Sequence, residues 1–472
     1  MRAALSGCNA LLRPLFRLAQ KGRRLVLMRK TGYIVAARSI WRPAPDARGH
    51  NVLSGGVLHT HCAAKAAMSV TIIIPAFNLW AYTRACLESL ASCARGSSFR
   101  VVVVDNGSTD ETPKACPSLG KSLFPGAFEY RRLEQNQGFA RGCNTGAQGA
   151  DTAYLLFLNN DVTATPGWLE ILLQAMQRQT GVHAASPLLL FPETHRVQHA
   201  GVAFDPNLHP VHCFSQFPGN HKALRSVRGL QALSAAALLV RKQAFEAAGG
   251  FCQEFINGSE DLDLSCMLRR NGGRLALVPS SVLHHATSMT PGRYDHTAHN
   301  ATVLNRRARG CFVPDLHRLA ARAGYGLALT AWLEPYMVRP HNSAPDCPTD
   351  DIAALSKALQ EEPLWEKGYA AMLELLAHDP AAALPWAEVR AALCPSRHAY
   401  EQTLRLAVAV EDTAAVNRWK QSLARVIASI NKKDELIELA QTSLEWSRQE
   451  ELEYIVNMYS AWLDAHGGGH RA

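Results

Sequence analysis

Short apolar runs that stop abruptly at polar clusters constrain this chain more than any other feature. Val70–Ile74 is β-branched and uninterrupted and stops at Pro75. Val101–Val104 stops at Asp105-Asn106-Gly107-Ser108, and Leu155–Leu158 stops at Asn159-Asn160-Asp161. A strand with one wet face alternates apolar and polar residues, whereas an unbroken run is buried on both faces, as in a parallel sheet covered by helices. In open α/β sheets ligands bind beyond the carboxyl ends of the strands. That places Asp161 where a metal or a phosphate-bearing substrate would sit.

Helix-like segments fall between these runs. Trp80–Cys93 carries Cys86, Leu87 and Leu90 at helical spacing, a short helix follows Thr109, and Gly138–Gly149 is rich in small residues. Phe128–Leu133 and Tyr154–Leu158 read as further strands. Repeated βα units predict a parallel sheet with right-handed crossovers. Farther on, Ala184–Leu190 and Val197–Phe204 read as strands, His209–Lys222 as a loop, Gln231–Val240 as apolar, and Ser259–Arg270 as helical. Arg274–Val278 is an expected strand and His284–Tyr294 an expected loop. After about Leu316 the pattern turns all-α, with helices expected at Asp351–Gln360, Pro363–Ala377, His398–Val410, Thr413–Ile430, Asp434–Trp446 and Glu450–Ala465. The organisation predicted is a basic tail over 1–68, an α/β domain over 69–310 and an all-α C-terminal module over 311–466.

The chain has 472 residues, 47% of them hydrophobic, which is enough for more than one core. Its formal charge of +9 is unevenly placed: residues 1–68 hold twelve Lys/Arg and one acid, and the remainder is slightly acidic. The basic balance therefore argues for no nucleic-acid partner of the folded body. For the tail three readings compete: a basic amphipathic segment resting on an anionic membrane surface, a disordered arm, or an extension upstream of a true start at Met68. Twelve scattered cysteines without a CxxC pair speak against a zinc site or a disulfide framework, and they fit a reducing cytoplasm. No run of eighteen apolar residues occurs, so the expected location is cytoplasmic, or peripheral at the inner face of the membrane through the tail.

Each polar cluster also has a structural reading. Asp105 with Gly107 and Ser108 makes an Asx turn as readily as a ribose contact. Asp161 could cap a helix whose first turn holds Pro166. Glu260, Asp261 and Asp263 could simply charge the first turn of the helix after Ser259. Asn136–Asn144 offers backbone N–H groups and Arg141 to a phosphate, but lacks the spacing of a dinucleotide or Walker loop. The histidines at 195, 199, 209, 212 and 221 could line an acceptor groove, though a polar surface loop is the plainer reading.

Taken in order, VTIIIPAFN (Val70–Asn78), VVVVDNGSTDET (Val101–Thr112), NQGFARGCN (Asn136–Asn144) and LFLNNDV (Leu156–Val162) resemble the family 2 inverting glycosyltransferases, rhamnosyltransferase-like members above all. SEDLDLS (Ser259–Ser265) and His284-His285 extend the match, which covers about half the chain. The resemblance implies an α/β domain of the GT-A type, Rossmann-like in build. It implies a nucleoside-diphosphate sugar donor (UDP-, dTDP- or GDP-linked) and a divalent cation, Mn2+ or Mg2+. It gives Asp161, with His284 or His285, the role of metal ligand, and makes Asp261 the base that deprotonates the acceptor, with Glu260 second. The nucleotide sugar would be met by Pro75, Phe77 and Asn78, by Asp105, by Asn136, Gly138, Arg141 and Asn144, and by Asn160 beside Asp161. The family's metal motif often carries two carboxylates, and here Asn159 and Asn160 leave one. The acceptor would be a glycan, a lipid-linked sugar or a protein in bacterial surface polysaccharide or glycoconjugate synthesis. The alternative is a non-catalytic binding or assembly protein with a degenerate domain of this type.

Overall fold

The computed structural model describes residues 69–93, 98–286, 296–339, 345 and 347–467. The basic tail, with the membrane, disorder and start-site readings placed on it, lies outside the described residues, as does most of the loop expected after His284.

The three apolar runs form neighbouring strands. β1 (Val70–Ala76) pairs in parallel with β2 (Phe99–Asp105) on one side and with β4 (Tyr154–Leu158) on the other, and β3 (Phe128–Arg132) adds parallel to β2. Their side chains serve both faces. Ile72, Ile74, Val101, Val103, Leu156 and Leu158 join one core, against helices α1 (Trp80–Cys93) and α4 (Trp168–Arg178). Ile73, Leu155 and Phe157 point into the other, against α3 (Gly138–Ala147). Burial on both faces is why these runs show no alternation, and each buried aliphatic side chain contributes about 1.5–3 kcal/mol of transfer free energy.

Close approach of α3 to the sheet depends on Gly146. A β-carbon there would lie 2.3 Å from Ile73 Cγ2 and 3.1 Å from Val104 Cγ2, both in the core. Gly146→Ala is expected to destabilise the protein by about 1–3 kcal/mol through overpacking, read as a lower urea midpoint with an unchanged m-value.

The sheet is not purely parallel. Its nine strands run in the order β3-β2-β1-β4-β10-β6-β11-β5, with β7 (Val197–His199) added on β6 (Val182–Leu190). β10 (Ala237–Arg241), expected only as an apolar stretch, lies antiparallel between β4 and β6. β5 (Val162–Ala164) is a short strand, not the start of a helix: α4 begins at Trp168, capped by Gly167 in the left-handed region at φ 77°, so Pro166 lies before the helix. β11 (Arg274–His285) is 12 residues long and overturns the expected end at Val278. The segment Pro279–Ser281 is absorbed as an irregularity between Val278 and Val282, after which the strand continues to His285 along β6. The Val197–Phe204 run is split in two, with β8 (Val202–Phe204) pairing with β9 (Pro210–His212) inside the expected loop.

The C-terminal region is largely helical but contains an unpredicted antiparallel hairpin, β12 (Gly326–Leu329) and β13 (Pro335–Val338). Helices run over Ile352–Glu361, Glu366–Leu375, Pro380–Leu393, Arg397–Ala409, Thr413–Ile430, Lys433–Gln449 and Glu453–His466; the third was not anticipated. One apolar cluster joins Phe157 and Leu238 of the sheet to Leu355, Tyr369, Ile455 and Trp462 of these helices. No helix among the described residues is long and apolar enough to cross a membrane. Cys266 and Cys311 form a disulfide, one pairing that the cysteine pattern gave no sign of; eight further described cysteines are free.

Candidate functional site

The strand order reverses direction at β1, flanked by β2 and β4, so the carboxyl ends of three strands open on one switch point, where such sheets bind ligands. The turns leaving these strands are tied together. Asn78, in the left-handed region at φ 54°, accepts from Thr109 N at 2.7 Å through Oδ1, and its own N–H donates to Ser108 Oγ at 2.8 Å. Asn106 donates from Nδ2 to Asn136 Oδ1 and Gly138 O, both at 3.0 Å, and accepts from Gln137 N at 2.9 Å. Gly138 opens α3 with φ 83°, and Arg141 is exposed one turn on. Pro75 and Phe77 are half-buried at the same edge.

Several residues expected at the nucleotide are occupied by the protein. Asp105 is fully buried, with Oδ1 accepting from Ser108 N at 2.8 Å and Oδ2 engaged by the Tyr130 hydroxyl and by Arg132. Asn144 clasps the Phe251 backbone, donating to its carbonyl at 2.7 Å and accepting from its N–H at 3.0 Å. Asn160 donates to Thr83 Oγ1 of α1 at 2.9 Å. These contacts orient the turns that leave the strands.

At the end of β4, Asp161 meets His285. β5 and the end of β11 pair antiparallel, setting His285 against Val162, and Ala286 N donates to Asp161 O at 3.0 Å. His285 Nε2 then lies 3.0 Å from Asp161 Oδ1, with both side chains less than a tenth exposed. Asn159 Nδ2 is 3.2 Å from the same nitrogen. His284, one residue earlier and on the opposite side of the strand, turns to His195 at 3.1 Å. Burial, with His195 second, holds the His284 ring below the ordinary imidazole range. Of the two histidines, His285 is the one that faces Asp161.

A buried carboxylate oxygen and an imidazole nitrogen at this separation are a donor pair suited to a divalent ion such as Mn2+. Among the described residues no third His, Cys, Asp or Glu completes a cluster around them. A Mg2+ or Mn2+ that binds phosphates takes few protein ligands and fills its shell with phosphate oxygens and water, so two side chains fit that use.

The acids that open α6 (Glu260–Arg270) have separate tasks. Glu260 is buried and folds back to accept from Gly258 N at 2.6 Å, fixing the loop ahead of the helix, while the Ser259 side chain makes no capping bond. Asp263 forms a two-point ion pair with Arg307 at 2.8 and 3.1 Å. Asp261 stays half-buried, Oδ1 accepting from Leu262 N at 2.9 Å and Oδ2 from Ala235 N at 3.3 Å. The next residue of that loop, Ala236, accepts from Asn159 N at 2.9 Å through its carbonyl. Two adjacent residues thus connect the Asp261 carboxylate to the turn that carries Asp161.

The histidines do not form one groove. His199 and His212 share an Nδ1–Nδ1 contact of 2.7 Å, His209 pairs with Asp205, and His221 caps a short helix and reaches the Glu361 carbonyl. Burial, helped by the neighbouring His212 and His285, holds His199 well below the ordinary imidazole range. Sequence reasoning missed Asn106, which lies inside the Asp105–Ser108 cluster and was open to notice. It also missed Gln198, whose amide meets His285 Nδ1 at 2.5 Å and which no local pattern marks.

The family model "Glycosyl transferase family 2" matches residues 71–228, across the strands and turns just described. The N-acetylglucosaminyl-diphospho-decaprenol L-rhamnosyltransferase of Mycobacterium tuberculosis is 30% identical over 231 residues, 43% of this chain and 73% of that protein. The O-antigen biosynthesis protein RfbC of Myxococcus xanthus is 29% identical over 46% of this chain, but those residues are only 17% of its own length. The mannosyltransferase PcManGT of Pyrobaculum calidifontis, solved with GDP-Man and Mn2+, is 17% identical, with 91% of this chain and 98% of that chain covered and a TM-score of 0.38. A family match over the site-building strands and a relative shared over most of its length agree with the switch-point geometry: the chain belongs to glycosyl transferase family 2.

Proposed function

We propose that this protein transfers a sugar from a nucleoside-diphosphate sugar to an acceptor hydroxyl with inversion, in the building of a bacterial surface polysaccharide or glycoconjugate. The observation that carries the proposal is the Asp161–His285 pair at the sheet's switch point, tied through Ala235 and Ala236 to Asp261. The turns at Phe77–Asn78 and Asn136–Gly138, with exposed Arg141, receive the nucleotide and its phosphates, and buried Asp105 keeps the second of these strand ends in shape. Asp161 and His285 hold the divalent cation, which when bound offsets the negative charge developing on the departing diphosphate. Asp261, in the first turn of α6, takes the proton of the acceptor hydroxyl. The acceptor oxygen bonds to the anomeric carbon as the bond to the diphosphate breaks on the opposite face, and that single displacement inverts the centre.

Titration calorimetry of UDP, dTDP and GDP with and without Mn2+ tests the reading. One nucleotide is expected to bind, and Mn2+ to strengthen its binding at least ten-fold. The second reading, a non-catalytic assembly protein, draws on Asn159 and Asn160 standing where carboxylates are usual and on the two-residue donor set. Absence of binding for all three nucleotides would favour it.

A further inference from the structure

Gln198 lies in the middle of β7, 2% exposed, and grips one residue at two points. Its Nε2 donates to the backbone carbonyl of His285 at 2.8 Å, and its Oε1 lies 2.5 Å from Nδ1 of the same histidine. The first contact settles the second. A carbonyl oxygen only accepts, so the amide nitrogen is the end facing it, and the other end must be oxygen. That oxygen also only accepts, so His285 Nδ1 carries a proton. In the neutral ring Nε2 is then the bare nitrogen, and it is the one turned to Asp161 Oδ1.

We infer that Gln198 is a positioning residue, which fixes the tautomer and ring orientation of His285 so that Nε2 and Asp161 Oδ1 converge before any ligand arrives. It touches neither sugar nor cation and acts through His285. A glutamine suits the place better than either neighbour in chemistry. A carboxylate would accept from Nδ1 but leave the His285 carbonyl without its donor and bury a charge, whereas an aliphatic chain would leave both partners unmet. Metal-binding imidazoles characteristically donate their second N–H to such a partner, and loss of the partner costs roughly 10–100-fold in metal affinity or activity. The inference rests on the reading of His285 as a cation ligand.

The test titrates Mn2+, followed by electron paramagnetic resonance, into the full chain with UDP, dTDP and GDP in turn. His285→Ala and Gln198→Leu are compared with the unaltered protein. Gln198→Leu is expected to weaken Mn2+ binding by roughly 10–100-fold, and His285→Ala by at least as much. Unchanged affinity in His285→Ala overturns the ligand reading itself. A loss in His285→Ala with none in Gln198→Leu overturns only the role given to Gln198. Nitrogen-15 NMR of histidine-labelled protein, with the His285 signals assigned by their loss in His285→Ala, needs no Gln198 variant to fold. A neutral ring with its proton on His285 Nδ1 supports the inference, and a bare Nδ1 or a ring protonated on both nitrogens overturns it.

Discussion

Asp161→Ala is expected to abolish sugar transfer, on the order of a thousand-fold or more, together with the Mn2+ dependence of nucleotide binding. Asp161 is the only carboxylate in the Asn159-Asn160-Asp161 turn, and the His285 imidazole cannot by itself replace an anionic oxygen ligand. The fold should survive, because the register of β5 against β11 is held by backbone bonds, including Ala286 N to Asp161 O, that alanine retains. Circular dichroism and the thermal midpoint are the controls. The complementary change, Asn159→Asp, places a second carboxylate 3.2 Å or so from the same imidazole nitrogen and should tighten Mn2+ binding about ten-fold. Mn2+-dependent binding that persists undiminished in Asp161→Ala would remove the metal role from this residue.

Asp261→Asn is expected to lower transfer by about 10²–10⁴-fold with nucleotide affinity unchanged, because the amide keeps the shape but cannot take the acceptor proton. The split between lost turnover and retained binding sets a base apart from a structural acid. Glu260→Gln gives the contrast, since its buried carboxylate holds the Gly258 N–H of the loop ahead of the helix and its loss should appear mainly in the thermal midpoint. Transfer at an unchanged rate in Asp261→Asn would take it out of the mechanism. If Glu260→Gln instead showed the kinetic loss, the two roles would be exchanged.

Much of the site-bearing half was legible because its strands are buried on both faces, which leaves a signature without needing any partner. Val70–Ile74, Val101–Val104 and Leu155–Leu158 all lie in strands, and their carboxyl ends meet as expected. What could not be read was anything that depends on a neighbour. The antiparallel insertion of β10 has no local mark, because strand direction is decided by what the chain returns to. Pro279 reads as a stop, but a proline is tolerated where the ladder is already irregular, and β11 runs on to His285. Asn144 and Asn160 sit within motif-like segments, yet their amides serve Phe251 and Thr83. A polar residue near a strand end has several candidate partners, and only packing selects among them. The same holds for His284 and His285, which sequence alone left equivalent.

That last choice gives the irregularity in β11 a significance beyond geometry. Consecutive side chains on a strand face opposite ways, so the length of the Pro279–Ser281 excursion sets the parity of everything after it. A slip of one residue would bring Ala286 to the position opposite Val162 and carry His285 to the far side, where His284 now meets His195. Every chemical group of the site would still be present in the chain, and the site would be gone. The excursion therefore works as a phase element: what it transmits is spacing, and a change in the length of a segment with no chemistry of its own can silence the protein as completely as the loss of Asp161.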